Sequence, residues 1–329
     1  MSVRSLPEIP VNVDDDLFEQ CYQEYIQPFW QEQVTQGMLQ VDAGVNVAFA
    51  YVLHPEPIGS VVISSGRIEA YIKYKELVFE LYQQGYSVFI HDHRGQGLSA
   101  RMTPNPHQGY IEDFEQYVQD FRAFYQQVIE ANSQTPPMLI CHSMGSAIGA
   151  LYVLQHPNDF SKVVFCAPMF GLRPALPEWI GSLLVAAHNL YNGLRSQTPL
   201  YFWGQGDFQP ESFANNQLTH SQVRYRTFLK EYDLQPAAKL GGVTGRWLGA
   251  ALLAIKRIYR NAGNIKIPVL MLQAGADTIV DNGGQDRVFA RLPNAQKYHV
   301  KGARHEILME SAEYRQPAIQ KLLSFLQEK

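Results

Sequence analysis

Apolar and polar positions along the chain follow two rhythms. Short apolar runs at 60–64, 88–90, 138–141, 163–167 and 267–272 show little polar alternation, the pattern of strands buried on both faces. A further short strand is expected at 297–300. Between these runs, apolar residues return at helical spacing: Tyr74, Leu77, Val78 and Leu81, closing at Gly85, and then Phe114, Tyr117, Val118, Phe121, Tyr125 and Val128. Residues 150–154 read as another helix, and a last helix is expected from near His305 to the C-terminus. Upstream, 38–41 and 45–53, joined at Ala43-Gly44, predict a hairpin at a sheet edge. Residues 1–37 are weakly patterned, with Phe29-Trp30 expected to pack an N-terminal arm on the core. Strands alternating with helices predict an α/β class, a mostly parallel central sheet with helices on both faces.

The rhythm breaks at 169–262. That region holds Trp179, Trp203 and Trp247, many Leu and Tyr, and glycine-rich turns, without a strand pattern. It reads as a mostly helical insertion over the C-terminal strand ends, where open α/β sheets bind ligands. The expected organisation is a core at 1–168, a cap or lid at 169–262, and the rest of the core at 263–329. The aromatic and aliphatic content of 178–203 and 247–254 suits an acyl-chain pocket and ordinary cap packing alike.

Composition narrows the classes. The 329 residues are 46% hydrophobic and 18% charged, with a net charge of −4, a balance that does not point to a nucleic-acid partner. Cys21, Cys141 and Cys166 form an odd, widely spaced set with neither a disulfide framework nor metal-ligand spacing. They read as reduced thiols of a cytoplasmic protein. Residues 1–16 contain Asp14-Asp15-Asp16 and no apolar core of a secretory signal. No apolar run nears the ~20 residues that span a bilayer, which leaves surface contact with the inner membrane face as an expectation.

The chemistry centres on Met138-Leu139-Ile140-Cys141-His142-Ser143-Met144-Gly145. A buried strand, a tight turn with serine at its apex and a following helix form a nucleophile elbow, whose crowding demands small residues two before and two after the serine. Gly145 meets that demand. Cys141 stands where glycine is usual. A serine hydroxyl needs a base, and the base needs an acid to fix its tautomer. Gly275-Ala276-Asp277 follows the strand 267–272, and Gly302-Ala303-Arg304-His305 follows 297–300. Both therefore fall on the strand edge that carries Ser143, in the order Ser, Asp, His. Asp281 is the rival acid but lies further from its strand end. His299 sits within a strand and reads as structural. His142 points away from the nucleophile and reads as a packing or pocket residue. The backbone N–H groups of Met144 and Arg67 are the expected oxyanion donors. Arg67 has two readings, a partner for a substrate phosphate or for Glu69. Asp92 and Arg94 are expected to bond to backbone in a tight loop at 92–99. Arg224, Arg226 and Lys230 read as a solvated helix face.

The stretches S-S-G-R-I-E-A-Y-I-K-Y (64–74), D-H-R-G-Q-G-L-S (92–99), H-S-M-G-S-A (142–147), A-P-M-F-G (167–171) and L-T-H-S-Q-V-R-Y (218–225) resemble bacterial lysophospholipases of the L-two type. These belong to the monoacylglycerol-lipase-like branch of the serine α/β-hydrolases, and the similarity spans roughly 40–328. The resemblance implies an α/β-hydrolase fold with a helical cap, a Ser143–Asp277–His305 triad, and hydrolysis of the acyl ester of a lysophospholipid or similar single-chain lipid. It calls for no metal or organic cofactor, and Met169, within A-P-M-F-G, joins Arg67 and His142 as an expected substrate contact. A monoacylglycerol lipase or general carboxylesterase would use the same triad. A lipid-binding protein that kept the fold without catalysis is the alternative of another class. Dehalogenase and epoxide-hydrolase chemistry would call for Asp at the nucleophile position.

Overall fold

The computed structural model describes residues 13–133 and 135–328; residues 1–12 of the stretch without a signal pattern lie outside the described residues. Eight strands form one sheet: β1 (Thr35–Asp42), β2 (Val45–Val52), β3 (Gly59–Ser64), β4 (Tyr86–His91), β5 (Met138–His142), β6 (Lys162–Cys166), β7 (Val269–Ala274) and β8 (Ala295–Val300). Their order is β1-β2-β4-β3-β5-β6-β7-β8. The β1–β2 hairpin lies at the edge and joins β4 antiparallel, and every pairing from β4 to β8 is parallel.

Strand periodicity explains the two-sided burial. Val61 and Ile63 of β3 belong to one core layer and Val62 to the other. Ile140 and Leu139 divide in the same way, as do Leu270 and Met271. The first layer is covered by α1 (Asp15–Cys21), α2 (Gln27–Gln33), α3 (Lys75–Gln83) and α10 (Ala312–Gln327). The second is covered by α4 (Phe114–Phe124), α5 (Met144–Gln155), α8 (Gly245–Asn261) and α9 (Asn282–Phe289). Phe29 and Trp30 pack α2 into the first layer. Between β6 and β7 run α6 (Glu178–Arg195), α7 (Gln222–Leu234) and α8; Trp247, Ala251, Ala254 and Ile258 of α8 pack in the second core layer.

From β3 the chain steps outward to β4, then crosses to β5 on the other side of β3. The crevice above that reversal, outside the C-terminal ends of β3 and β5, is where such sheets bind ligands.

Two expectations are corrected. Arg224 does not belong to a solvated face: its guanidinium is buried and bonds to Glu76 at 2.7 and 2.9 Å and to Asp15 at 2.6 Å. Arg226 and Lys230 of the same helix are exposed. The C-terminal helix begins at Ala312, seven residues after His305, because Glu310 and Ser311 are extended (ψ 170° and 155°). The buried Glu310 carboxylate explains the delay. It accepts the N–H groups of Arg304, His220 and Ser311 at 2.7–2.8 Å, holding 304–311 as a shaped loop.

Candidate active site

The elbow is built as its crowding requires. Ser143 has φ 49° and ψ −115°, a left-handed conformation that costs a non-glycine residue about 1–3 kcal/mol. Surrounding bonds hold it there. Its N–H donates to the Cys166 carbonyl and its own carbonyl accepts from Met169 N–H, both at 3.0 Å. Gly145 lies so close to β3 that a Cβ would overlap the Ser64 and Ser65 carbonyl oxygens. Cys141 is accommodated from the helix side, where Gly149 of α5 leaves the space its Sγ fills. A second glycine thus offsets the missing one.

Ser143, Asp277 and His305 meet. His305 Nε2 lies 2.9 Å from Ser143 Oγ, and His305 Nδ1 lies 2.8 Å from Asp277 Oδ2. All three are buried. The other Asp277 oxygen accepts the N–H groups of Ile279 and Val280 at 2.8 and 3.0 Å. Burial pushes this carboxyl upward, but the His305 bond and charge and the two N–H groups outweigh it and hold it below the ordinary range. Asp281 caps α9 through Gly283 and Gly284, and His299 bonds Gln273; neither is in the series.

Met144 opens α5, so its N–H has no acceptor within the helix. Arg67 lies in the turn after β3, next to Ile68 at φ 66°. Neither N–H has a protein acceptor among the described residues. Ile68, Ser143 and Ala167 (φ 42°) are the described non-glycine residues with positive φ. All three follow C-terminal strand ends, so backbone strain gathers where the hydroxyl stands.

The Arg67 side chain does not pair with Glu69. Its Nη1 donates to the Gly241 carbonyl at 2.7 Å, and its Cζ lies 5.7 Å from the Trp247 ring centre. Met169 is buried beside the elbow. In the 92–99 loop, Asp92 accepts from Tyr71 and Leu98 N–H as expected. Arg94 instead forks onto the Asp120 carboxylate at 2.5 and 2.6 Å. Burial pushes the Asp92 carboxyl up to about 7, which suits a shaping residue more than a phosphate cradle.

Sequence reasoning missed a buried polar network behind the site. Glu69 accepts from Lys73 Nζ at 2.9 Å, Tyr74 Oη at 2.5 Å and the Gly66 N–H, while Lys73 also reaches Glu306 at 2.6 Å. His142 closes it: Nδ1 is 3.1 Å from Glu69 Oε2, and Nε2 is 3.2 Å from the His305 carbonyl. Both partners only accept hydrogen bonds, so the imidazolium, with a donor on each ring nitrogen, is the form that satisfies both. Burial opposes that charge, but Glu69 outweighs it by charge and hydrogen bond. Glu306 adds to Glu69 and Lys73 subtracts, so the pKa is raised. Glu69 is held well below the carboxylate range, against its burial, by Lys73 and His142. The imidazolium ties the turn after β3 to the His305 loop. It is present below its raised pKa and lost as pH climbs through it. His142→Gln, whose single NH₂ serves one of the two acceptors, is expected to lower kcat about tenfold, the scale of one charge-assisted bond. The variant should also lose the alkaline fall of the kcat–pH profile, and an unchanged alkaline limb would contradict this role.

Comparison with known proteins agrees with this architecture. The serine aminopeptidase, S33 family matches residues 55–312. The Escherichia coli K12 protein named lysophospholipase L2 is 37% identical over 273 residues, covering 80% of this chain and 79% of that protein. A Haemophilus influenzae protein named probable lysophospholipase L2 is 30% identical, covering 95% of this chain and 98% of its own. Among solved structures, a soluble variant of Saccharomyces cerevisiae monoglyceride lipase superposes with a TM-score of 0.71 at 20% identity, over 90% of this chain and 95% of that one; it speaks to the fold alone. With an elbow serine at the strand reversal and two relatives at 30% identity or more over most of its length, the chain belongs to the serine aminopeptidase S33 family of α/β-hydrolases, in the branch of the L2 lysophospholipases.

Proposed function

We propose that this protein hydrolyses the acyl ester of lysophospholipids to a free fatty acid and a glycerophospho-alcohol. The observation that carries the reading is the unbroken series from Asp277 through His305 to Ser143 at the strand reversal. Ser143 Oγ attacks the ester carbonyl carbon as His305 Nε2 takes its proton, and Asp277 steadies the imidazolium. The N–H groups of Met144 and Arg67 bind the oxyanion, each lowering the barrier by about 3 kcal/mol. His305 then protonates the leaving alkoxide, which departs from the acyl-enzyme. Water attacks that ester with His305 as base, and the fatty acid leaves as Ser143 regains its proton. His305 gives one proton to the departing alcohol and takes one from water, so the protons balance over the cycle and the scheme draws on no metal or cofactor.

The lipid assignment draws on the names of the two relatives above, lysophospholipase L2 and probable lysophospholipase L2. The test is a panel of lysophosphatidylcholine, monoacylglycerol of the same chain and a short nitrophenyl ester, run on wild type and Ser143→Ala. The lysophospholipase reading expects the lysolipid to have the highest kcat/KM. A preference for monoacylglycerol would move the assignment to a monoacylglycerol lipase.

Residues 169–244, the part of 169–262 that precedes α8, serve as the cap in this scheme, since α8 packs in the second core layer and not above the strand ends. They meet the base loop directly: Glu306 N–H donates to the Leu218 carbonyl, and Arg304 Nη1 donates to the carbonyls of Asn216 and Thr219. On α6, Trp179, Leu183, Leu190 and Leu194 form one stripe at helical spacing, each 60–78% exposed. An apolar stripe with a Trp suits the membrane interface, where a detergent-like substrate partitions. We place the protein in the cytoplasm with transient contact at the inner membrane face. Among the described residues no helix is long and apolar enough to cross a membrane. Wild type is expected to float with anionic vesicles, and Leu183→Glu/Leu190→Glu to stay in the dense fraction while keeping its turnover of the soluble nitrophenyl ester. Equal flotation of both would remove α6 from the contact.

A further inference from the structure

Arg67 carries a charge that the fold leaves unanswered. Among the described residues the buried arginines are closed by acids: Arg94 by Asp120, Arg224 by Glu76 and Asp15, and Arg315 by Glu80. Arg67 is only half-buried, and among the described residues it pairs with no carboxylate. Among the described residues its side-chain acceptor is the Gly241 carbonyl, and its Cζ lies 5.7 Å from the ring centre of Trp247. A guanidinium has five N–H donors in a rigid fork suited to phosphate, and here most of the fork is open. Burial lowers its pKa to about 10, so it stays charged at neutral pH. Glycine keeps the surroundings clear: a Cβ on Gly109 would stand 3.3 Å from Nη1.

Covalent length adds a second argument. The amide nitrogen of Arg67 is separated from its guanidinium carbon by the same number of bonds as separate the ester carbonyl carbon of a 1-acyl glycerophospholipid from phosphorus. With the carbonyl oxygen on the Arg67 N–H, a head group that runs alongside the side chain has the length to bring its phosphate to the guanidinium. We infer that Arg67 reads the substrate's phosphate, its backbone holding the ester oxygen while its side chain supplies the counter-charge of a phosphodiester or phosphomonoester head group. The inference rests on the lysophospholipase reading and deepens it, because monoacylglycerol offers no anion to this fork.

A guanidinium that merely pinned the Gly241 carbonyl would affect all substrates alike, so the test is a ratio. Arg67→Met is expected to lower the kcat/KM ratio of lysophosphatidylcholine over monoacylglycerol by about 10- to 100-fold, the scale of a charge-assisted pair. Arg67→Lys, a point charge without the fork, should recover part of that ratio. Equal losses on both lipids would overturn the inference while leaving the hydrolase assignment intact. A binding arm separates the two readings further. Ser143→Ala should bind submicellar lysophosphatidylcholine about 10- to 100-fold more tightly than Ser143→Ala/Arg67→Met does; equal affinities would overturn the inference whatever the turnover panel shows. Inorganic phosphate and glycerol 3-phosphate, run as competitors, distinguish a head-group site from a free-anion site. Competition by lysolipid analogues with the free anions inert is the expected result. Competition by inorganic phosphate at equal concentration would assign Arg67 to a free anion instead.

Discussion

Ser143→Ala is expected to lower kcat on ester substrates by on the order of 10⁶, roughly 8 kcal/mol of barrier, with little change in thermal stability. The triad acts as a unit, so removing the nucleophile strands the other two members. Folding should persist because the bonds that shape the elbow come from backbone: Ser143 N–H to Cys166, and Met169 N–H to the Ser143 carbonyl. Alanine keeps both. Single-turnover hydrolysis and a melting curve, measured on the same preparation, check the two halves of the expectation. Residual turnover within tenfold of wild type would mean that another group attacks the ester.

Asp277→Asn is expected to cost about 10⁴ in kcat, for a reason this site makes explicit. One oxygen of Asp277 is occupied by the N–H groups of Ile279 and Val280. An asparagine must keep its carbonyl oxygen there, which turns its NH₂ toward His305 Nδ1. That nitrogen must then accept, so the imidazole proton moves to Nε2, the atom facing Ser143 Oγ. A protonated Nε2 cannot take the serine's proton. The side chains barely move, yet the base is switched off by tautomer. Steady-state kcat with a crystal structure of the variant tests this: unchanged positions with a large loss is the expected pair of results.

The convergence of Ser143, Asp277 and His305 on one rim was legible because each follows a short strand, and parallel strands end on the same edge. What stayed hidden shares a different cause. Glu310 shapes the His305 loop through N–H groups of residues 220, 304 and 311, and nothing local in the sequence marks a glutamate that gathers them. It is also why helical spacing placed the last helix too early. Arg224 sits on a helix whose composition reads as solvated, yet Glu76 and Asp15 arrive from distant parts of the chain to bury it. Arg94 drew the same kind of misreading, since Asp120 lies a full segment away. In the Glu69–Lys73–His142 network the Glu69–Lys73 pair is local, but His142 and Glu306 join it from distant parts of the chain, and pairing at that range is set by topology rather than by spacing. Cys141 is the mirror case. Its departure from glycine looked local, but its resolution lies eight residues on, at Gly149.

The most direct test of the account is labelling with a fluorophosphonate probe, which reports on an activated serine without reference to substrate. Wild type should form a single adduct, mapped by peptide mass spectrometry to Ser143, with no adduct on Ser143→Ala and far slower labelling of Asp277→Asn. An unlabelled wild type, or an adduct that survives in Ser143→Ala, would contradict the claim that Asp277 and His305 arm this hydroxyl.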